Sequence, residues 1–327
     1  MTCARLLLAF AGLALSTNPV LAETSCPALR WTTLGTAGGP SPTPERAEPS
    51  NLLLAGKQQI LVDTGDGTVN QLAKAGFDLS RVQTVFISHH HMDHTGGLGA
   101  FIGLRWMNTM PGKLTIYGPP GTRELVDGVI KSMQPQARVG FGLGTTPAKP
   151  EESVAVVEIT GSSTVDLGPL KIIAAANSHF DHPGPKQADE PVSLSYRFEL
   201  AGRSITYTGD TGPSSVVTSL AKDTDLLVSE VIDLESLVSA IRRIRPDMSA
   251  QTFDQMRRHL STHHLTASEV GKLATLSGAK RLVLTHFAVP PLPIAGFEGT
   301  LRSGIAQFYS GPVEIARDLS SFDVGCR

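Results

Sequence analysis

The sequence lacks most of the features that mark specialised protein classes. Beyond its first two dozen positions it has no apolar run of about 18 residues or more, which excludes an internal membrane-spanning helix. It has no strong charge of either sign: the formal net charge is -2, which argues against a strongly electrostatic nucleic-acid binder. Charged residues are only 18% against 41% hydrophobic, so neither a disordered chain nor a coiled coil fits. It has no internal repeat, no low-complexity tract and no composition break that would mark a linker. A chain of 327 residues without such a break is expected to form one large domain with a sizeable core.

Cysteine is also scarce, with three in the whole chain. The first of them lies in a stretch that reads as an export leader. Arg5 is the only charge in residues 1–22, Leu6 to Leu15 is apolar apart from Gly12, and Asn18-Pro19 precedes Val20-Leu21-Ala22. The apolar run is too short to span a bilayer and suits a signal peptide, giving a mature domain of residues 23–327 and a periplasmic or secreted location. Cleavage would remove Cys3 and leave Cys26 and Cys326 at the two ends. An even count in an oxidising compartment points to a disulfide between them.

The rest of the chain starts with strands and then alternates strands with helices. Asn51–Leu54 and Ile60–Val62 flank Gly56-Lys57 as a hairpin, and a Gly/Pro-rich loop fills residues 35–49. Val82 to Ile87 is a strongly apolar strand, and Leu114 to Tyr117 another. Leu125, Val126, Val129, Ile130 and Met133 fall at helical spacing. Strands follow at 154–159, 165–167, 170–175 and 204–208, and Val192 to Leu200 alternates as a half-buried strand. Pro213 opens a helix, and Leu226 to Ser229 is a strand. Two helices then fill an insertion at about 233–260. Thr266 to Glu269 reads as a capping box for a helix that stops at Gly278. Leu282 to Thr285 is a further strand.

Histidine carries the chemistry. Ten histidines fall in four places: 89–94, 179–182, 259–264 and 286. The densest is Ser88-His89-His90-His91-Met92-Asp93-His94, delivered by the strand at 82–87. His89 and His91 are two apart and can share a side, while His90 points away. Asp93 and His94 follow on the turn and can face a second metal. Imidazole and carboxylate suit zinc, with manganese or iron as alternatives.

This H-x-H-x-D-H run resembles the signature of the metallo-β-lactamase fold hydrolases. The resemblance continues through His179 in Asn177-Ser178-His179, Asp210 in Thr208-Gly209-Asp210, His286 in Leu284-Thr285-His286-Phe287 and an early Asp63 in Leu61-Val62-Asp63-Thr64-Gly65. It implies an α/β fold, the αββα sandwich of two mixed β-sheets packed face to face with helices on both outer faces. Within that superfamily the chain is most similar to the ribonuclease Z and phosphodiesterase branch. Leu34-Gly35-Thr36, Gly118-Pro119-Pro120-Gly121-Thr122, Ser195-Tyr196-Arg197-Phe198 and His264-Leu265-Thr266 carry that likeness. The chain departs from the branch in having no long, basic, Gly-rich arm for gripping transfer RNA.

The resemblance implies two divalent ions. His89, His91 and His179 would hold one, and Asp93, His94 and His286 the other, with Asp210 bridging and Asp63 orienting a ligand. Two such ions activate water and stabilise the charge of a phosphoryl transition state. The likeness also makes His264, braced by Glu230, an assistant to the scissile phosphate, and Asp93 part of the catalytic set. Each choice has a neighbour. His179 comes first after its strand, but His182 is the alternative ligand. His264 is preferred to His263 because it adjoins the capping Thr266. His259 reads as a solvated helix residue. Arg242, Arg243, Arg245, Arg257 and Arg258 make the helical insertion basic, either to attract an anionic substrate or as its wet face. Phe101, Trp106 and Met107 line a pocket or belong to the core. The function expected is an exported metal-dependent phosphodiesterase on a small anionic or phosphodiester substrate, without a stable nucleic-acid complex or a membrane partner, and with room for a homodimer. An esterase, lactonase or arylsulfatase of the same fold is the alternative, and a non-catalytic metal-binding protein the third reading.

Overall fold

Apolar strands alternate in direction and length along the chain in a way that two packed sheets satisfy. In the computed structural model, which describes residues 26–326 apart from 40, 140–147, 186, 188 and 291–295, the first half supplies β1 (Leu29–Gly35), β2 (Ser50–Ala55), β3 (Gln58–Thr64), β4 (Val82–Phe86), β5 (Leu114–Gly118) and β6 (Val154–Glu158). The second half supplies β7 (Thr164–Leu167), β8 (Leu170–Ala176), β9 (Leu194–Leu200), β10 (Arg203–Tyr207), β11 (Leu226–Ile232), β12 (Leu282–Ala288) and β13 (Val313–Ile315), before β14 (Ser320–Asp323) returns to the first sheet. The sheets are seven-stranded, in the orders β14-β1-β2-β3-β4-β5-β6 and β13-β12-β11-β10-β9-β8-β7. Both mix parallel and antiparallel pairs.

Three apolar layers follow. Trp31, Leu53, Val62 and Phe86 of the first sheet meet Tyr196, Phe198, Tyr207 and Val228 of the second in the central layer. Helices Leu98–Met107 and Thr122–Ser132 cover the outer face of the first sheet. Helices Ala267–Ser277 and Phe297–Ala306 cover that of the second. The expected αββα sandwich is therefore the observed fold.

The direction of the strands places the site. β3, β4, β5 and β6 are mutually parallel, as are β10, β11 and β12, and β8 shares that direction because two antiparallel steps separate it from β10. Loops that leave the carboxyl ends of these strands converge, the usual place for a site in such sheets.

Several local expectations change. β1, β13, β14 and helix Phe297–Ala306 had no clear signal, the first because Thr and Arg interrupt its apolar positions. The helix after Pro213 starts only at Ser215, since the Ser214 side chain caps it by accepting from Val217 N. The helix around Phe253 is longer than expected, Ala250–His263, with Ser249 as its cap. β9 keeps the expected alternation: Leu194, Tyr196, Phe198 and Leu200 are buried in the central layer, while Arg197 and Glu199 on the other face are partly exposed and pair with each other. The capping box at Thr266 and Glu269 is present, and Gly278 ends the helix at φ 68°. Cys26 and Cys326 form a disulfide with Cα atoms 6.0 Å apart. The leader read in residues 1–22 lies outside the described residues.

Candidate metal centre

Strand β4 ends at Phe86 and feeds Ile87-Ser88-His89 directly into the convergence of loops. Asp63, the residue before the end of β3, holds that loop. Its Oδ1 accepts from Ser88 N at 2.7 Å, and its Oδ2 accepts from Ser88 Oγ at 2.8 Å and Tyr207 Oη at 2.9 Å. Oδ2 also lies 2.9 Å from His94 Nδ1, so that nitrogen carries the proton and Nε2 is left to face the centre. Asp63 sits at φ 60°, a left-handed conformation that a side chain rarely adopts unless its hydrogen bonds hold it.

The second sheet contributes one residue per strand end. Asn177 follows β8 and accepts from His179 N through Oδ1 at 3.1 Å, while its amide donates to Ser195 Oγ and Thr208 O. His179 Nδ1 donates to the carbonyl of His263 at 3.0 Å, which fixes the tautomer and leaves Nε2 toward the centre. Asp210 follows β10 through Gly209, at φ 56°. His286 lies where β12 bulges against β11: Ser229 pairs with Leu284 and Val231 with Phe287, so Glu230 faces two residues. The bulge turns His286 to φ 45° and aims both His286 and Glu230 inward.

Two groups of ligand atoms result, each within 4.8 Å: His89, His91, His179 and Asp210, then Asp93, His94, Asp210 and His286. In the first, His89 Nε2 is 3.0 Å and His179 Nε2 3.2 Å from His91 Nδ1, and Asp210 Oδ2 lies 3.9 and 4.0 Å from the two Nε2 atoms. In the second, Asp210 Oδ1 is 3.3 Å from His94 Nε2 and 3.1 Å from His286 Nε2, and Asp93 Oδ2 is 3.5 Å from each. His94 Nε2, His286 Nε2 and Asp210 Oδ1 are buried without a hydrogen-bond partner. Buried polar atoms without partners are costly, and a cation between them would satisfy all three. The residues therefore fit metal ions.

The Gly/Pro-rich loop at 35–49 completes this side. Gly39 N donates to Asp93 Oδ2 at 3.0 Å, and a Cβ at Gly39 would fall 2.4 Å from that carboxylate. Burial opposes charge on every imidazole here, but the balance differs. It holds His89 well below the ordinary value and His179 down at about 3. On His286 the carboxylate of Asp210 outweighs it and raises the ring to about 10, and His94 is likewise raised by Asp210, Asp93 and Asp63.

Beside the centre, His264 Nδ1 is 2.7 Å from Glu230 Oε2, and Glu230 Oε1 accepts from Thr211 N at 2.6 Å. Burial works against a charge on His264, yet Glu230 overcomes it and its pKa is raised. All ten residues expected from the sequence thus lie in or against one centre. His182 does not: it is exposed and pairs with Glu190 at 2.8 Å. His90 also points away, onto Thr122 Oγ1 at 2.9 Å. Phe101 and Trp106 belong to the outer core of the first sheet, and Met107 is exposed. The arginines of the insertion are exposed, and Arg245 and Arg257 bind Asp247 and Glu235, as a wet helical face does. Sequence reasoning missed Asn177, Tyr207 and Gly39. Asn177 stood two residues before a ligand, but its amide partners lie on β9 and after β10, Tyr207 reaches Asp63 of the other sheet, and Gly39 meets Asp93 of another loop.

Comparisons with known proteins agree with this fold. The Beta-lactamase superfamily domain matches residues 58–287. The ribonuclease Z of Mycolicibacterium paratuberculosis is 32% identical over 299 residues, spanning 90% of this chain and 97% of its own. Among solved structures, the metallo-beta-lactamase fold protein YhfI from Bacillus subtilis has a TM-score of 0.63 at 20% identity, covering 91% of this chain and all of its own. The short form of human tRNase Z has a TM-score of 0.60 at 22% identity with the same coverage. These comparisons correct the expectation of a periplasmic or secreted protein: the relatives matched over nearly their whole length are ribonuclease Z enzymes, which act on transfer RNA in the cytoplasm.

Proposed function

The chain belongs to the beta-lactamase superfamily, as a metal-dependent hydrolase related to ribonuclease Z, and from that premise we propose a binuclear phosphodiesterase. The observation that carries the reading is the pair of ligand groups joined through Asp210, one oxygen turned to each. His89, His91 and His179 would hold one divalent ion, and Asp93, His94 and His286 the other. Zinc suits this imidazole and carboxylate set, with manganese or iron as alternatives. Ions held there supply an acidified water and offset charge on a phosphoryl oxygen.

The chain's own groups do the rest. Asp63, Asn177 and the His263 carbonyl fix the ligand rings before substrate arrives, so little reorganisation is left to the reaction. Glu230 holds His264 in the tautomer with the proton on Nδ1, and in the protonated ring Nε2–H is free to donate. When the P–O bond to the leaving group breaks, that proton passes to the leaving oxygen. The substrate is a phosphodiester or another small anion, reached from the side where His91 is exposed. A homodimer and the absence of a stable nucleic-acid complex are parts of the same proposal.

The test is hydrolysis of bis(p-nitrophenyl) phosphate by protein loaded with zinc or manganese, beside a chelated sample and the His264→Ala variant. Metal-dependent turnover that the variant weakens supports the reading. Folded protein with two bound ions and no turnover would discard it and leave esters, lactones and aryl sulfates to be tried.

A further inference from the structure

The Gly/Pro-rich loop at 35–49 meets the metal centre just beyond its neck. Ala37 N donates to the Ala47 carbonyl at 2.9 Å and closes that neck. Gly38 N then donates to the carbonyl of Phe287 at 3.1 Å, and Gly39 N to Asp93 Oδ2 at 3.0 Å. Phe287 N returns a hydrogen bond to the Thr36 carbonyl at 2.9 Å. The loop thus holds one ligand of the second group, Asp93, and the residue that follows another, His286.

A carboxylate with no place in the mechanism above grips the neck. Asp318 lies between β13 and β14, 271 residues beyond Ala47. Its Oδ1 accepts from Thr36 Oγ1 at 2.7 Å, and its Oδ2 accepts from Ala47 N at 2.7 Å and Gln71 Nε2 at 2.8 Å. One side chain therefore ties both sides of the neck to each other and to helix Thr68–Lys74. Arg46 braces the same point. Its Nη1 donates to Thr36 Oγ1 at 2.6 Å and to the Ala316 carbonyl at 3.1 Å, and its guanidinium lies 4.4 Å from the centre of the Phe287 ring. Hydrogen bonds to an ionised carboxylate are roughly twice as strong as neutral ones. Gly39 is three residues from Thr36, so a shift of the neck is carried to Asp93.

We propose that Asp318 is a positioning residue for the second group of ligands. By fixing the neck it sets where Gly39 N stands, and Gly39 N sets the rotation of the Asp93 carboxylate. The first group is held from elsewhere, His179 by the His263 carbonyl and His89 beside Ser88. One ion therefore depends on Asp318 and the other does not. The inference rests on the two-ion reading and adds a residue that keeps one of those ions in place.

The experiment measures zinc retained by the full chain after dialysis against graded chelator. Asp93→Ala and His179→Ala mark which ion belongs to which group. Asp318→Ala should release the ion that Asp93→Ala releases, with its affinity lowered about tenfold, the low end for a group that orients a ligand. Thr36→Val, which removes one of the three bonds to Asp318 at nearly constant volume, should show a smaller loss of the same ion. Excess zinc should restore the rate of both variants on bis(p-nitrophenyl) phosphate, which it would not do for a general loss of structure. Arg30→Ala breaks a 2.7 Å pair with Asp323 of β14 and should keep both ions, as a control for loosening of that edge. Retention of both ions by Asp318→Ala, or loss of both alike, overturns the proposal. If Asp318→Ala does not fold, Thr36→Val decides by the same criteria. A wild type that holds two ions while the variants fail these comparisons sinks this inference alone. A folded wild type that binds fewer than two ions sinks the two-ion reading and this one with it.

Discussion

The two halves of the metal centre are built from different stock. The first has three imidazoles and a single carboxylate, Asp210, whose oxygen stands 3.9 Å or more from the nearest imidazole nitrogens. The second has two imidazoles between two carboxylates, at 3.1 to 3.5 Å. Burial therefore wins in the first half and keeps His89 and His179 neutral, while Asp93 and Asp210 win in the second and hold protons on His94 and His286. In the metal-free protein, protons take the part of the second cation. Similar residue types give opposite charge states because the carboxylates are unevenly shared.

The largest effect should come from removing what the halves share. Asp210→Ala takes a ligand from both groups. Loss of a group that merely orients a ligand costs about 10- to 100-fold in metal affinity or activity, so this variant should lose more than about a hundredfold in metal-dependent phosphodiesterase rate. Metal analysis should find both halves weakened. Retention of two tight ions would break the idea that Asp210 joins them.

Asp63 offers a one-sided change. It touches His94 directly but reaches His89 only through Ser88, whose Oγ lies 3.1 Å from His89 Nδ1. Asp63→Asn should weaken one ion about 10- to 100-fold and leave the other nearly unchanged, read as metal content after dialysis against graded chelator. If the ion held by the three imidazoles is lost first, the comparison is wrong.

The charge difference predicts unequal proton release. At pH 7 a ring raised to about 10 is protonated and must lose its proton to bind metal, whereas a ring lowered to about 3 is already neutral. Titration calorimetry in buffers of different ionisation enthalpy should show one ion expelling protons and the other expelling almost none from these rings. The stability of the metal-free protein follows the same signs. His286 contributes stability fully present below the unfolded value of about 6.5 and lost as pH rises toward about 10. His179 contributes stability present above about 6.5 and lost as pH falls toward about 3. Equal proton release by both ions would remove the electrostatic distinction.

The halves also differ in how well a sequence displays them. Four of the ligands sit within six residues after one apolar strand, so spacing alone groups them. His179, Asp210 and His286 each end a different strand of the second sheet. Nothing local ties them together; a family resemblance joins them, and the parallel carboxyl ends of β8, β10 and β12 explain why it works. The sandwich was legible for the same reason, since its strands are apolar and regularly punctuated. What could not be read is whatever depends on a partner far along the chain. Tyr207 reaching across to Asp63, Gly39 against Asp93 and the carbonyl of His263 behind His179 are contacts between elements far apart in the chain. The pairing of His259 with His263 has helical spacing, but where that helix docks does not show in it. Export failed for another reason: a short apolar leader is judged on composition alone, and the relatives point elsewhere.

The smallest change sharpens the contrast within one tripeptide. His89 and His91 belong to the first half, and His90 between them turns outward because successive side chains of extended backbone face opposite ways. Thr122 gives its own hydroxyl proton to the Pro119 carbonyl at 2.7 Å, so it receives the proton of His90 Nε2. Gly121, at φ 98°, keeps the space open, since a Cβ there would stand 3.2 Å from the His90 ring. His90 therefore braces the ligand loop against the 118–122 segment without touching the centre. His90→Ala should keep two bound ions and an unchanged pH profile, with kcat falling only a few-fold and stability by about 1 kcal/mol, the worth of one hydrogen bond. A loss of metal as large as that of Asp63→Asn would show that the three histidines act as one unit.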